Sequence, residues 1–481
     1  MTDTLTRAGS GTGAAHGHAV DAVPAWWRLA VLGFQHVLAF YAGAVVMPLL
    51  VAQGLGLSGP DTAALINTAL VACGVATLLQ TVGLPGIGIR LPVVQGMSTA
   101  AVPSLVSVGV AANGGGEAGL PTVFGAVIAA GVVLFFIAPL FSRLVRFFPP
   151  LVTGTIVIIV GVTLMGVAAR QVGGGDPGSP GFGTPAQLGL AGATLLVIVA
   201  LYRFGRGFLV SVAVLLGLLA GTGIAALAGR TDFSGIGDAR WFGMQAPLHY
   251  GAPRFDLMAV LAIVLVMVII AMESIGQFFA VGEIAEREVD ARALTRGLRA
   301  DGLATVVSGL INSFPTTVYS QNVGLLRLTR VTSRWIVAAA GVIMLVLGLV
   351  PKVGAMVAAM PPSVLGGATL VLFSTIAVVG VQILVKADLS DARNTVLVAA
   401  SLGIGFLPTA YPQFAEHMPT RQLQALFDSG IMLGTLTAVT LNLFFHHLRP
   451  PARPGRTPAE RQRDDPDDPA PTPSAPSPRV T

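Results

Sequence analysis

Along the chain, apolar runs of about twenty residues alternate with short polar loops, a spacing set by the thickness of a bilayer's hydrocarbon core. The runs lie near 29–52, 61–82, 120–140, 151–169, 187–203, 207–228, 256–282, 296–312, 333–350, 364–384, 394–410 and 427–446. Each predicts a membrane-crossing helix, because an isolated segment in lipid must satisfy its own backbone N–H and C=O groups. Two further stretches, near 90–108 and 315–330, are shorter, broken by Pro and more polar. With these included, the length rule predicts an all-α polytopic membrane protein of about fourteen transmembrane segments.

The two broken stretches echo one another. Pro92 precedes Gln95-Gly96-Met97-Ser98-Thr99, and Pro315 precedes Ser320-Gln321-Asn322-Val323-Gly324. A second echo pairs Phe148-Pro149-Pro150-Leu151-Val152-Thr153-Gly154 with Met360-Pro361-Pro362-Ser363-Val364-Leu365-Gly366. Both pairs are seven crossings apart in this count, third with tenth and fifth with twelfth. An odd separation turns the second copy upside down, which predicts two inverted seven-segment repeats. Thr316–Ser320 is β-prone, Leu91–Val94 is expected to lie extended beside it, and short helices are expected to start near Ser98 and near Gln321. Non-helical backbone at this depth must face protein or a water-filled cavity, so the paired breaks mark a midplane binding site. The N–H groups at the two helix starts suit carbonyl oxygens or an anionic ring.

Composition narrows the class. The 481 residues are 53% hydrophobic and 11% charged, against about a quarter charged in a soluble domain. The net charge of +5 comes from arginines dispersed in short loops, which sets membrane orientation and gives no nucleic-acid patch. Lysine and arginine favour the N-terminal side of the bilayer by about two to one, placing both termini in the cytoplasm of a cell-membrane protein. The lone Cys73 excludes an internal disulfide. Residues 1–26 carry no signal peptide and are expected as a disordered cytoplasmic tail; 450–481, rich in Pro, Arg, Asp and Ser, are expected as another. Between them, 27–449 form one membrane domain. The sequence shows neither a metal-ligand cluster nor a nucleophile with a base to orient it, so no cofactor and no enzyme activity are expected.

Ionisable residues inside apolar runs are costly and mark function. Glu273 sits late in one run, Asp301 opens the next, and His36 lies beside Gln35 in the first. Two carboxyl groups and an imidazole suit a proton-coupled site. Gln277 stands one helical turn after Glu273, so the pair offers donors and acceptors along the edge of a planar heterocycle. By contrast, Glu283, Glu286, Arg287, Glu288 and Asp290 form an alternating loop that is expected to be solvated.

Ser320-Gln321-Asn322-Val323-Gly324-Leu325-Leu326-Arg327-Leu328-Thr329-Arg330 resembles the motif of the nucleobase–ascorbate transporters, which reads Gln or Glu, Asn, any residue, Gly, four of any kind, then Thr. Gln35-His36, Glu273 and Asp301 strengthen the likeness, which covers about 27–447. The resemblance implies a core of segments 1–4 and 8–11 that slides as an elevator against a gate of segments 5–7 and 12–14, within a homodimer. It implies that Glu273 bonds ring N–H groups of a nucleobase and that Gln321 meets the ring edge, with Ser320 and nearby amides assisting. Asn322 would hold the tenth segment, and His36 and Asp301 would link proton movement to binding. Gln at 321 favours a purine, xanthine or urate, over uracil. Ser98 and Thr99 complete the expected pocket. Thr99 stands where many members carry an aromatic residue, and Gln277 where some carry Asp or His. A uracil carrier of the same family is the nearest alternative. A sulfate-permease-like anion exchanger shares the seven-plus-seven plan but has less use for a buried Glu273, and a passive channel needs no carboxyl groups there.

Overall fold

The computed structural model describes residues 18–144, 149–411, 413, 427 and 429–447. Its helices, in chain order, are α1 (Trp26–Leu55), α2 (Gly59–Thr81), α3 (Val102–Asn113), α4 (Leu120–Leu144), α5 (Pro150–Gly173), α6 (Pro185–Phe204), α7 (Phe208–Ser211), α8 (Ala213–Leu227) and α9 (Ser234–Asp238). They continue with α10 (Leu257–Ile284), α11 (Ala291–Leu310), α12 (Ser320–Thr329), α13 (Arg334–Gly348), α14 (Pro351–Ala358), α15 (Pro362–Leu384), α16 (Ala392–Ala410) and α17 (Gly430–Asn442). Strands β1 (Gln95–Met97) and β2 (Thr316–Val318) precede α3 and α12.

Local chemistry sets the ends. Pro150, Pro185, Pro351 and Pro362 occupy first turns, where a missing N–H costs nothing. Asp256, Asp290 and Asp391 cap α10, α11 and α16 by accepting from first-turn N–H groups. Among the described residues, seven helices are long and apolar enough to cross a membrane, and α13 with α14, bent by 79° at a break ending in Pro351, makes an eighth if the bent pair is one span. The fold is thus an all-α polytopic membrane protein with one two-stranded sheet. The run expected at 207–228 is split at Val212 into α7 and α8. Helix α11 misses the length-and-apolarity test because Arg292, Arg296, Arg299 and Asp301 dilute it.

Small residues bring the helices close. Gly161 leaves no room for a Cβ, which would stand 2.4 Å from Ala377 N, so α5 packs its backbone on α15; Gly131 and Gly302 do the same for α4 and α11. The packing partners repeat in mirrored order: α1 lies on α13 as α10 lies on α4, α2 lies on α13 as α11 lies on α4, and α6 lies on α8 as α16 lies on α17. That is the pattern of an internal repeat. It sorts the helices into one group of α1–α4 and α10–α14 and another of α5, α6, α8 and α15–α17.

The strands meet antiparallel, Gln95 opposite Val318, Gly96 opposite Thr317 and Met97 opposite Thr316. Bonds from Ser98 N to Pro315 O and from Tyr319 N to Val94 O, both 3.0 Å, extend the ladder. The extended partner expected at Leu91–Val94 therefore lies further along. Pro92 has no N–H to give a ladder, and a tight turn closes over it from Val93 N to Leu91 O at 2.8 Å.

Residues 1–17 and 450–481, expected as disordered tails, lie outside the described residues. Residues 18–25 belonged to the first expected tail, yet they lie against the body. Val20 is buried, and the Asp21 carboxylate binds Arg334 Nε at 2.7 Å and Arg287 Nη1 at 3.0 Å. So Arg287, expected in a solvated loop, is half-buried and paired. Burial opposes the charge on Asp21, but Arg287 and Arg334 outweigh it and hold its pKa below the ordinary 3.8. The pairing is present above that ordinary value and is lost as pH falls through the lowered one. Replacing Asp21 with Asn is expected to speed amide exchange over 18–25 at neutral pH and leave the spans unchanged, the scale of an exposed ion pair.

Candidate functional site

The sheet fixes the backbone on which the site is built. Tyr319 follows β2 and its ring is wedged between two glycines. A Cβ on Gly43 would meet Tyr319 Cε1 at 2.5 Å, and one on Gly96 would meet Cε2 at 2.1 Å. Phe40 packs edge-on at 5.8 Å, and Tyr319 Oη donates to Met97 O at 3.2 Å. The locked ring sets where α12 begins. Ser320 and Gln321 form its first turn, and on the other side of the ladder a 3₁₀ turn from Thr99 leads into α3.

Between these two helix starts lies a cavity of about 420 Å³, counted to its open mouth. Glu273 of α10, Thr99, Ser320 and Gln321 line it, so four of the residues expected from sequence come together here. Glu273 is half-buried, with the Thr317 hydroxyl in hydrogen-bonding range; Gln321 is exposed to the cavity, and Ser320 Oγ donates to its Oε1 at 3.3 Å. Two expected residues stand elsewhere. Ser98 is buried outside the lining with its hydroxyl unpaired, and its backbone N–H is spent on the ladder. Gln277 is half-buried on α10, one turn beyond the cavity wall.

The opposite wall comes from the other group of helices. Leu372, Phe373 and Ile376 of α15 close the cavity, which therefore sits on the seam between the two groups. Sequence reasoning missed these residues and Tyr319. An apolar run of twenty residues says that it is buried, without saying which side chain meets a ligand. Tyr319 and Phe373 are the aromatic residues of the lining.

His36 and Asn322 form one unit behind the site. Both are buried, and Asn322 Nδ2 donates to His36 Nδ1 at 3.0 Å, tying α12 to α1. Asp301 does not open its helix; Asp290 does, and Asp301 sits in the middle of α11 with no exposed surface. The correction has a simple cause: the arginine-rich first turns of α11 look like a loop by hydropathy. Asp301 Oδ1 accepts from Gln80 Nε2 at 2.6 Å and from Gln95 Nε2 at 2.9 Å. The Gln80 amide also donates to Gly297 O at 2.9 Å and its Oε1 accepts from Ile89 N at 3.1 Å. From Asp301 a row of hydroxyls leads to the cavity, with Ser274 in its range, Ser274 Oγ 3.4 Å from Thr317 Oγ1, and Thr317 beside Glu273. Among the described residues no group of His, Cys, Asp and Glu is arranged to hold a metal ion.

A cavity that brings Glu273 and Gln321 to a seam between two groups of membrane helices suits a membrane transporter, and the relatives make that the class: a transporter, not an enzyme. Residues 28–414 match the model of the Permease family. The chain is 42% identical to a uric acid transporter of Escherichia coli strain K12, over 89% of this chain and 88% of that one. It is 40% identical to a xanthine permease of Bacillus subtilis strain 168, over 86% and 93%. The chain belongs to this permease family, the nucleobase–ascorbate transporters. Among solved structures, the transmembrane domain of a cyanobacterial bicarbonate transporter covers 88% of this chain and 100% of its own at a TM-score of 0.54 and 18% identity. The murine solute carrier 26 family member A9, an anion transporter, covers 88% and 69% at 0.58 and 13%. At such identities these two show the shared fold alone.

Proposed function

We propose that the protein imports a purine base, xanthine or urate, together with protons. The observation that carries this is the convergence of Glu273 and Gln321 on one cavity between two opposed half-helices, in a chain whose relatives are named for urate and xanthine. A carboxylate accepts ring N–H groups, and an amide supplies one donor and one acceptor along the ring edge. The aromatic rings of Tyr319 and Phe373 in the lining suit a flat heterocycle. An anion exchanger is the poorer reading despite the shared fold, because an inorganic anion offers no ring N–H groups for Glu273 to accept.

In this proposal α1–α4 and α10–α14 are the core and α5–α8 with α15–α17 the gate, over fourteen crossings with both termini in the cytoplasm of the cell membrane. The base binds at the seam, and the core then slides past α15 as an elevator, within a homodimer. Glu273 carries the proton at the site, and Ser274 and Thr317 connect it with Asp301. His36 and Asn322 keep α12 in register while this happens. Ion coupling then requires that the empty protonated core be reluctant to move, a difference in affinity between the two states.

Uptake of labelled xanthine, urate and uracil into liposomes holding the purified protein tests the proposal, with and without an inward proton gradient. Accumulation of one purine driven by the gradient is expected; entry of bicarbonate or sulfate with no base would overturn it. Replacing Gln321 with Glu removes the amide donors from the ring edge and is expected to shift preference from purine toward uracil by roughly 10- to 100-fold, the value of one hydrogen bond to a charged group. An unchanged substrate profile in competition uptake removes Gln321 from selectivity.

A further inference from the structure

A second cavity lies away from the seam, on the face where Asp21 is clasped. It holds about 590 Å³, its open mouth included, and is lined by Arg90, Arg287 and Arg296 together with Glu288 and Asp290. Arg287 is paired with Asp21, whereas Arg90 and Arg296 have no ion-pair partner among the described residues. Among the described residues the only ion pairs join Arg287 and Arg334 to Asp21, so no carboxylate oxygen lies within 4.0 Å of Arg90 or Arg296. Arg296 Nε is buried without a partner. Neither carboxylate of the lining pairs with Arg90 or Arg296: Asp290 Oδ1 accepts from Ala293 N at 2.6 Å, and Glu288 is exposed.

The backbone that presents Arg90 is strained and firmly held. Arg90 has φ 58°, in the left-handed region that non-glycine residues rarely adopt. Three bonds maintain it: Gly88 N to Arg296 O at 2.9 Å, Ile89 N to Gln80 Oε1 at 3.1 Å and Arg90 N to Gln80 O at 2.8 Å. Strain kept in this way concentrates at binding sites. Arginines that served only to orient the chain in the membrane would need neither an enclosed cavity nor a strained loop.

The geometry points to a phosphate-binding site here, with Arg90 and Arg296 as the anion's donors and Arg287 completing the wall. Guanidinium forks match the tetrahedral oxygens of phosphate, and the start of α11 at Ala291 adds a favourable dipole. The phosphate belongs either to a lipid headgroup or to a soluble compound. Its occupancy reaches the transport machinery through Gln80, which holds the Ile89–Arg90 loop on one side and Asp301 on the other.

The test is thermal unfolding of the full chain, purified in maltoside micelles and stripped of lipid. One arm adds inorganic phosphate at an ionic strength fixed with chloride. The other adds phosphatidylglycerol, against diacylglycerol of the same chains. A ligand that binds only the folded state raises the melting temperature in proportion to the logarithm of its concentration above Kd. A rise of several degrees is expected in one arm or both, and the responding arm identifies the source. Arg296→Gln and Arg90→Asn are expected to abolish the rise, Asn being tolerant of the left-handed backbone. Arg292→Gln, exposed and outside the cavity, is expected to keep it. No rise in either arm with the unaltered protein, or an undiminished rise in Arg296→Gln, overturns the site. Because nothing in this readout depends on a transported base, its failure is separate from failure of the transport proposal.

Discussion

Replacing Glu273 with Gln is expected to abolish proton-driven accumulation and to cut purine uptake by roughly 10- to 100-fold, the value of one hydrogen bond to a charged group. The substitution keeps shape and length, so the cavity wall and the contact with Thr317 survive. What it removes is a group that exchanges a proton. Gln still offers a carbonyl oxygen, but its NH₂ faces ring N–H groups where a carboxylate oxygen stood, leaving two donors opposed. Residual uptake through Gln321 is therefore expected to be weak and to lose its dependence on external pH. Initial rates in proteoliposomes over a range of external pH measure both effects at once. Near-normal uptake with the usual pH dependence would take Glu273 out of the mechanism. Loss of uptake with retained pH dependence would leave it a ligand of the base and move the proton to Asp301.

Glu273 was legible in the sequence because a lone carboxylate in an apolar run has few structural uses, and the same logic reached Asp301 and His36. The long spans were legible too, since lipid forces each helix to satisfy its own backbone. Three kinds of feature were not. Breaks inside a run, as at Val212 or before Pro351, leave composition unchanged, so length alone passes over them. The strand position was displaced because β-propensity describes Leu91–Val94 well, while the missing N–H of Pro92 decides the ladder. Buried partners were invisible: Gln80 and Gln95 matter only because tertiary packing delivers both amides to Asp301. Gln277 shows the converse, since one helical turn from Glu273 gave the right face of α10 but placed it beyond the end of the cavity. The seam itself, with Phe373 closing the site from α15, is a relation between distant segments that no local pattern encodes.

Gly96→Ala is expected to lower transport at least tenfold although it adds a single methyl group. That methyl would stand 2.1 Å from Tyr319 Cε2 and 2.4 Å from Cδ2. A flexible side chain would give way, but this ring has nowhere to go: the α1 backbone at Gly43 blocks the other edge, Phe40 packs on it, and Met97 O holds its hydroxyl. Overpacking of this kind costs about 1–3 kcal/mol, and here it falls on the join between β2 and α12. Either the ladder between Gly96 and Thr317 opens or Ser320 and Gln321 move off the cavity; both disperse the groups that meet the base. Tyr319→Phe keeps the ring and loses one neutral hydrogen bond, so it is expected to transport nearly normally. A double-mutant cycle with Tyr319→Ala separates the causes. If the methyl acts through the ring, Gly96→Ala adds no further loss once Tyr319 is Ala. If the two losses multiply instead, the glycine is needed for the strand backbone itself, and the ring is not what positions α12.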